Sequence, residues 1–371
     1  MQIGFEAKRL FLNDRGLGNY ARNLLYGLTK YYPENFYHLY SPNVSNKLVD
    51  QRLLNLENVV VHQPDGYINK LTSSTWRSVR LGKIASKNKL DIFHGLSQEL
   101  PKDIRKSGAK SIVTIHDMIF LRHPEFYKPI DRWIYFNKVR FAVHNADHIV
   151  AISNQTKNDL VETFQLSEDR ISVIYQSCNE VFYSKRTVDE LEIVRNKWSL
   201  PDNFLLYVGA LNENKNVMVI LEALAQLKGR MDLPLVVIGH GDSYKKKLIE
   251  FASKHQLSGQ LLFASEIDNP TPRELSSFYQ LASVFIFPSF YEGFGIPILE
   301  ARFSGTPVIA SNSSCLQETG EDDATYFDPN KAEELANLLL DPTQLKKTTI
   351  GEGSQFRLKN STNKYMENYQ N

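Results

Sequence analysis

The chain has 371 residues, about two domains at the usual ~150 residues each, with 42% hydrophobic and 23% charged residues. Nineteen glycines, 15 prolines and two cysteines exclude a disordered, collagen-like or disulfide-scaffold protein. A formal net charge of +1 excludes a general polyanion binder, and no nucleic-acid partner is expected.

Short apolar or β-branched runs predict strands at residues 2–6, 36–40, 59–62, 91–94, 111–115, 148–152 and 171–174. Between them, helical spacing covers residues 18–31, 75–89, 130–145 and 154–164. The second half repeats the alternation, with strands at 204–208, 235–238, 261–263, 284–287 and 308–310. Its predicted helices are 216–228, 244–255, 272–281, 296–304 and 332–340. Runs such as VFIF and LVVI lack polar alternation, as parallel strands covered on both faces do. The fold class is therefore α/β, with two doubly wound domains. Residues 1–180 form the first, 181–201 a charged linker, 202–345 the second and 346–371 a tail. The tail ends in a helix, residues 361–371, whose Tyr365, Met366 and Tyr369 dock outside the second sheet.

The charge is unevenly divided: residues 1–180 carry 24 Lys and Arg against 18 Asp and Glu, residues 181–371 carry 19 against 24. Cys178 and Cys315 stand apart without a CxxC context, as in a reducing compartment. The stretch from Met1 to Arg9 reaches charge too early for a secretory leader. The most apolar stretch, residues 281–287, is far shorter than the ~20 residues of a spanning helix. A cytoplasmic location is expected, at most peripheral on the inner face of the cell membrane.

In open α/β sheets, ligands bind beyond the carboxyl ends of the strands. After the first strand, Gly16 and Gly18 precede a helix; they would let the backbone approach an anionic ligand, and a tight turn would use the same residues. No third glycine follows at fingerprint spacing, so NAD is not expected. After residues 111–115, His116 and Asp117 could place an imidazole in a cleft, oriented or charge-balanced by the carboxylate; a histidine bonded to local backbone is the alternative. Lys215 precedes a helix start, where a cation is unfavourable unless an anion shares the site; a solvated lysine is the alternative. The most specific stretch runs from Phe287 to Ala301: Glu292 precedes a Gly293-Phe294-Gly295 loop, Pro297 sits in the first helical turn and Glu300 lies eight residues after Glu292. Amides exposed by glycines suit sugar hydroxyls or phosphate, and two acids so spaced can hold opposite ends of an elongated polar ligand.

This stretch is similar to the E-x7-E signature of retaining GT-B glycosyltransferases of family 4, the glycosyl transferases group 1. Residues 15–20 resemble that family's N-terminal glycine loop, 113–117 its strand ending in His-Asp, 150–157 its AxSxxTK element and Lys215-Asn216 its Lys-Asn pair. Residues 306–311, Glu318 and the run Tyr326-Phe327-Asp328-Pro329 resemble its closing stretch. The resemblance spans nearly the whole chain. It implies two facing Rossmann-like domains, the first for the acceptor and the second for a nucleotide sugar, with a C-terminal helix returning to the first. It also implies that Glu300 binds ribose hydroxyls and that Glu292 positions the donor sugar. The amides around Gly293, Phe294, Gly295 and Ile296 would hold sugar hydroxyls and phosphate, and Lys215 would neutralise the diphosphate. Gly16 and Gly18 would let a loop close over the donor, and His116, with Asp117, would lie near the reacting sugar. Many relatives carry an Arg beside the lysine or a few residues earlier, where this chain has Asn214 and Ala210. Lys215, helix N-termini and Arg15 would then meet the diphosphate charge.

The implied activity is retaining transfer of a hexose from a UDP- or GDP-linked donor to a saccharide acceptor. Residues 93–101 resemble bacterial surface-polysaccharide transferases, which points to capsule, O-antigen or exopolysaccharide assembly; contact with a membrane would make the acceptor a lipid-linked saccharide. No cofactor and no metal are expected: no DxD motif is found, Glu321-Asp322-Asp323 reads as a surface loop, and His144 and His148, one helical turn apart, lack the HExxH pattern. Residues 66–110 carry ten basic and three acidic residues, and a helix from Trp76 to Lys89 aligns Arg80, Lys83 and Lys87. With its Trp, that helix could contact an anionic membrane; a solvated basic helix is the alternative. The rival functional readings are another GT-B sugar-nucleotide enzyme of epimerase type, or a catalytically weak sugar-nucleotide-binding subunit.

Overall fold

In the computed structural model, the apolar runs become two parallel sheets, described for residues 1–45, 48–49, 51–64, 75–346 and 350–371. The chain divides into one unit of residues 1–178 with 355–371, and a second of residues 179–354.

The first unit holds β1 (Gln2–Glu6), β2 (Phe36–Tyr40), β3 (Val59–His62), β4 (Ile92–Gly95), β5 (Lys110–Ile115), β6 (His148–Ala151) and β7 (Ile171–Val173), in the order β3-β2-β1-β4-β5-β6-β7. Successive side chains of a strand face opposite ways: Ile112 joins a core with Phe5, Leu24 and Leu28, and Val113 a core with Phe93, Val139 and Leu160. Both faces are thus covered, which is why the strands read as unbroken apolar runs. The C-terminal helix Leu358–Gln370 packs against helix Gly16–Tyr31. They approach so closely that a Cβ on Gly27 would lie 2.2 Å from the Thr362 hydroxyl. The Tyr20 hydroxyl lies 2.9 Å from both Thr114 and Tyr365, and His94 bridges Tyr369 (2.7 Å) and Thr114 (2.8 Å).

The second unit holds β8 (Leu205–Val208), β9 (Leu235–Ile238), β10 (Leu261–Phe263), β11 (Val284–Phe287), β12 (Val308–Ser311) and β13 (Ala324–Phe327), in the order β10-β9-β8-β11-β12-β13. All its pairings are parallel. Strand order reverses between β1 and β4 in the first unit and between β8 and β11 in the second. At such reversals the following loops diverge to opposite faces and leave a crevice.

The structure departs from the sequence reading in several places. Residues 181–201 are no linker: Thr187 and Glu190 form a capping box that starts helix Val188–Trp198, and buried Trp198 packs edge-on against Phe278 of the second unit. β13, not anticipated as a strand, is a short, half-buried edge. His148 lies in β6, bonded to Ser172 at 2.8 Å, and shares no helix with His144. The expected helix at 75–89 is three joined turns, a π turn Trp76–Arg80, an α-helix Leu81–Ala85 and a 3-10 turn Ser86–Asn88. Trp76 is 3% exposed in the core, so the aromatic expected at a membrane is inside; Arg80, Lys83 and Lys87 are exposed. Gly16 and Gly18 lie in the first turn of a helix and not in a loop. Among the described residues, no helix is long and apolar enough to cross a membrane.

The C-terminal helix is therefore part of the first unit's core. Met366→Ala is expected to lower that unit's stability by about 2–4 kcal/mol, read as faster urea-dependent hydrogen exchange in β1 and β4. Unchanged exchange there would show that the helix merely rests on the surface.

Candidate active site

The second unit's candidate residues collect where its strand order reverses. After β8, Asn212 accepts the Lys215 amide at 3.3 Å and so caps the 3-10 turn Glu213–Lys215. Asn216 then takes a left-handed φ of 51°, and its side-chain amide donates to the Pro329 carbonyl at 2.8 Å. Asn214 stitches this loop to the one after β11: its side chain donates to the Tyr291 carbonyl, and its own carbonyl accepts the Phe290 amide, both at 2.9 Å. The Asn214 Oδ1 and the hydroxyl of Ser289 are buried without a hydrogen-bond partner among the described residues.

Beyond β11, the Glu292 amide donates to the Ser314 hydroxyl at 3.0 Å and the Glu292 carbonyl accepts the Cys315 thiol at 3.1 Å. Both backbone polar groups of Glu292 are thereby fixed. The Glu292 carboxylate pairs with the Lys215 ammonium, which also stands 5.8 Å from the centre of the Phe287 ring. The Phe294 carbonyl accepts the Thr319 hydroxyl at 2.5 Å. Gly295 has a φ of +101°, and a Cβ there would stand 2.9 Å from Leu316, so glycine is required by backbone and by space. It leads into helix Ile296–Ser304, with Pro297, which has no N–H, in the first turn and the Ile298 amide donating back to the Gly295 carbonyl at 2.9 Å. A helix start at the carboxyl end of a parallel strand is a position where an anion or hydroxyl is favoured.

Glu300, on the second turn of that helix, is 8% exposed and accepts a hydrogen bond from the Tyr279 hydroxyl at 2.9 Å. Burial pushes its carboxyl up to about 7, and the Tyr279 bond offsets this only in part. Sequence spacing places both acids on one loop-helix element. It carries no sign of Tyr279, 21 residues earlier on helix Pro272–Leu281, or of the Ser314 and Cys315 supports.

In the first unit, the other candidates are tied down locally. A Cβ on Gly18 would lie 1.8 Å from the Asn13 carbonyl oxygen, and the Gly18 amide donates to the Arg15 carbonyl at 2.9 Å. Gly18 therefore serves a close helix-to-turn contact, whereas Gly16 is exposed with open space at its Cβ position. His116 is 4% exposed; its Nε2 donates to the Leu96 carbonyl at 2.8 Å, and its Nδ1 accepts from Gln176 at 3.2 Å. Burial lowers its pKa to about 4, so the ring is neutral, and Leu96 and Gln176 orient it. The Asp117 carboxylate accepts the Ile119 amide at 3.2 Å in a turn.

Solved structures share this architecture. A glycosyltransferase from Rickettsia africae superposes with a TM-score of 0.73 at 20% identity, covering 100% of this chain and 97% of that one. Anabaena HepE in complex with UDP and glucose gives 0.72 at 16%, covering 100% and 99%. The fold is that of the GT-B glycosyltransferases. Glycosyltransferase Family 4 matches residues 15–179 and Glycosyl transferases group 1 matches residues 189–348, and the chain belongs to this family. Among its relatives, the O-antigen chain mannosyltransferase B of Escherichia coli is 27% identical over 256 residues, 68% of this chain and 65% of that protein. The serotype-specific mannosyltransferase WbdA of Escherichia coli is 28% identical over 302 residues, 76% of this chain. The chain spans just under two thirds of the first relative's length and 36% of the second's.

The buried Glu300 has a signed pH signature. Its folded-state pKa lies above its ordinary value of 4.5, so between about 4.5 and 7 the unfolded chain sheds the proton first and the wild type loses stability as pH rises. Glu300→Gln is expected to gain in melting temperature relative to wild type across that window and to level off above it. A difference independent of pH, measured by differential scanning fluorimetry, contradicts the burial of an unpaired carboxyl.

Proposed function

We propose that this protein is a retaining, metal-independent glycosyltransferase that moves a hexose from a UDP- or GDP-linked donor to a saccharide acceptor in surface-polysaccharide synthesis. The observation that carries the reading is the Lys215–Glu292 pair at the β8/β11 reversal, with Glu300 buried on the adjoining helix. A donor brings what each partner of that pair lacks: phosphate oxygens for the ammonium and sugar hydroxyls for the carboxylate. Lys215 then supplies positive potential where leaving-group charge develops, the Gly293–Ile296 amides hold hydroxyls and phosphate, and Glu300 receives the ribose hydroxyls. With one lysine and Asn214 in the place of an arginine, helix N-termini carry more of the diphosphate charge.

Retention is consistent with same-face displacement. The bond from the anomeric carbon to phosphate breaks, the acceptor oxygen bonds that carbon, and its proton passes to the departing phosphate. Glu292 positions the sugar on this route and forms no covalent bond. His116, neutral, buried and held by Leu96 and Gln176, serves on this route as a support of the first unit's strand end and not as a charged group at the sugar. The relatives' description as mannosyltransferases, the first of them of the O-antigen chain, makes a mannosyl donor the first to test and a lipid-linked saccharide, met on the cytoplasmic side, the first acceptor.

Donor hydrolysis and thermal shifts with a panel of UDP- and GDP-sugars test the reading. Lys215→Met is expected to lower turnover about 100- to 1,000-fold. Glu300→Ala is expected to weaken nucleotide binding by about 10- to 100-fold, with less effect on turnover at saturation. No turnover and no shift with any donor overturns the enzyme reading, and unchanged nucleotide affinity in Glu300→Ala overturns the role of that residue.

A further inference from the structure

Helix Pro129–Asn145 of the first unit is apolar on two faces. Val139, Ala142 and Val143 are buried against the sheet. On the opposite side Ile130 is 61% exposed, Trp133 65% and Ile134 37%. At about 100° per residue these three form one stripe, with Asn137 between them and bonded to the Trp133 carbonyl at 2.7 Å, and the same rotation puts Arg140 on one flank and Lys138 on the other. Both flanking cations are exposed. Lys138 also reaches Glu99 at 2.9 Å, and the other oxygen of that carboxylate takes Arg77 at 2.7 Å. Through Glu99 the stripe therefore adjoins the segment Trp76–Arg80, where Val79 is 45% exposed beside exposed Arg80 and Lys83. Asp131 is the acidic residue on the stripe's own helix, set beyond Lys138.

We infer that this outer stripe is a docking surface for an anionic lipid bilayer. A large apolar group amid interfacial cations is what such a surface rewards: Trp and Ile enter the headgroup–acyl boundary while Lys and Arg stay with anionic headgroups. A water-facing helix without such a partner has no reason to turn Trp and two Ile outward between basic flanks. The docking element is thus this helix and not the basic segment led by Trp76, whose indole is in the core. Helical spacing gives this helix in the sequence but not its outer stripe, because apolar residues on both faces cancel any one-sided pattern. The proposed lipid-linked acceptor supplies the reason for approaching a bilayer; the docking itself is measurable without donor or acceptor.

The chain has three tryptophans, and Trp76 and Trp198 are 3% and 0% exposed, so intrinsic fluorescence reports environment changes chiefly at Trp133. Vesicles of phosphatidylglycerol mixed with phosphatidylcholine are expected to shift the emission to the blue, and brominated acyl chains to quench it. Pure phosphatidylcholine vesicles should leave it nearly unchanged. Trp133→Ser with Ile134→Ser, followed by vesicle co-sedimentation, is expected to weaken partitioning about tenfold or more, with soluble donor hydrolysis unaltered. Arg140→Gln should cost about fivefold, and less at high salt. An unshifted emission with anionic vesicles overturns the proposal. So does a dimer that depends on Trp133 and Ile134 without vesicle binding, since the face would then belong to a second copy. Loss of donor turnover with vesicle binding intact bears on the catalytic reading alone.

Discussion

The second unit depends on one constraint: two loops that leave adjacent parallel strands in opposite directions must be held together at their mouths. Asn214 does this with uncharged bonds to the backbone of Phe290 and Tyr291, and the Lys215–Glu292 pair does it with charge. The two kinds of tie behave differently. The amide bonds are buried and hold the two loops in register without any charge. The ion pair joins side chains that are partly exposed, where an ion pair contributes little net stability and can exchange partners at small cost. Structure and adaptability are thus assigned to neighbouring residues of one turn.

Glu300 shows the opposite choice. Its carboxyl is withdrawn from water, has one hydroxyl donor and lies high enough in pKa to be half-protonated near neutrality. A buried acid without a cation opposes folding at neutral pH, which makes it a poor choice for stability alone. The helix that carries it begins at a glycine no other residue can replace without strain, so the loop amides and the acid are oriented by the same element. That pairing of an expensive acid with a fixed turn is the strongest physical argument for a ligand at this position.

Much of this was legible in the residues. The strands were, because parallel strands covered on both faces are apolar runs, and so were helices with a single apolar face. The two glutamates and Lys215 were, because Gly, Pro and acid spacing marks a loop entering a helix. Pairing across 77 residues was not, and neither was the support given to Glu292 by Ser314 and Cys315. Helix Val188–Trp198 is hard to read in the residues although Thr187 and Glu190 stand at capping-box spacing, because its charge outweighs its few buried residues, Val194 and Trp198. The burial of Trp76 is hidden for the converse reason: a charged helix masks one inward aromatic, and Arg77 beside it turns in to Glu6 and Glu99. His116 was found at its strand end, but its bonds to Leu96 and Gln176 come from loops far along the chain.

The excess of cations in residues 1–180 and of anions in residues 181–371 gains meaning residue by residue. In the first unit, part of the excess lies around Trp133 on a surface suited to anionic lipid. In the second, net negative charge coexists with Lys215 and a helix start at the strand-order reversal, where we propose that phosphate binds. Hydrogen exchange with and without a saturating UDP- or GDP-sugar tests the central claim most directly. The account predicts protection concentrated in residues 212–217 and 289–300. Protection confined to other segments, with these two unchanged, would contradict it.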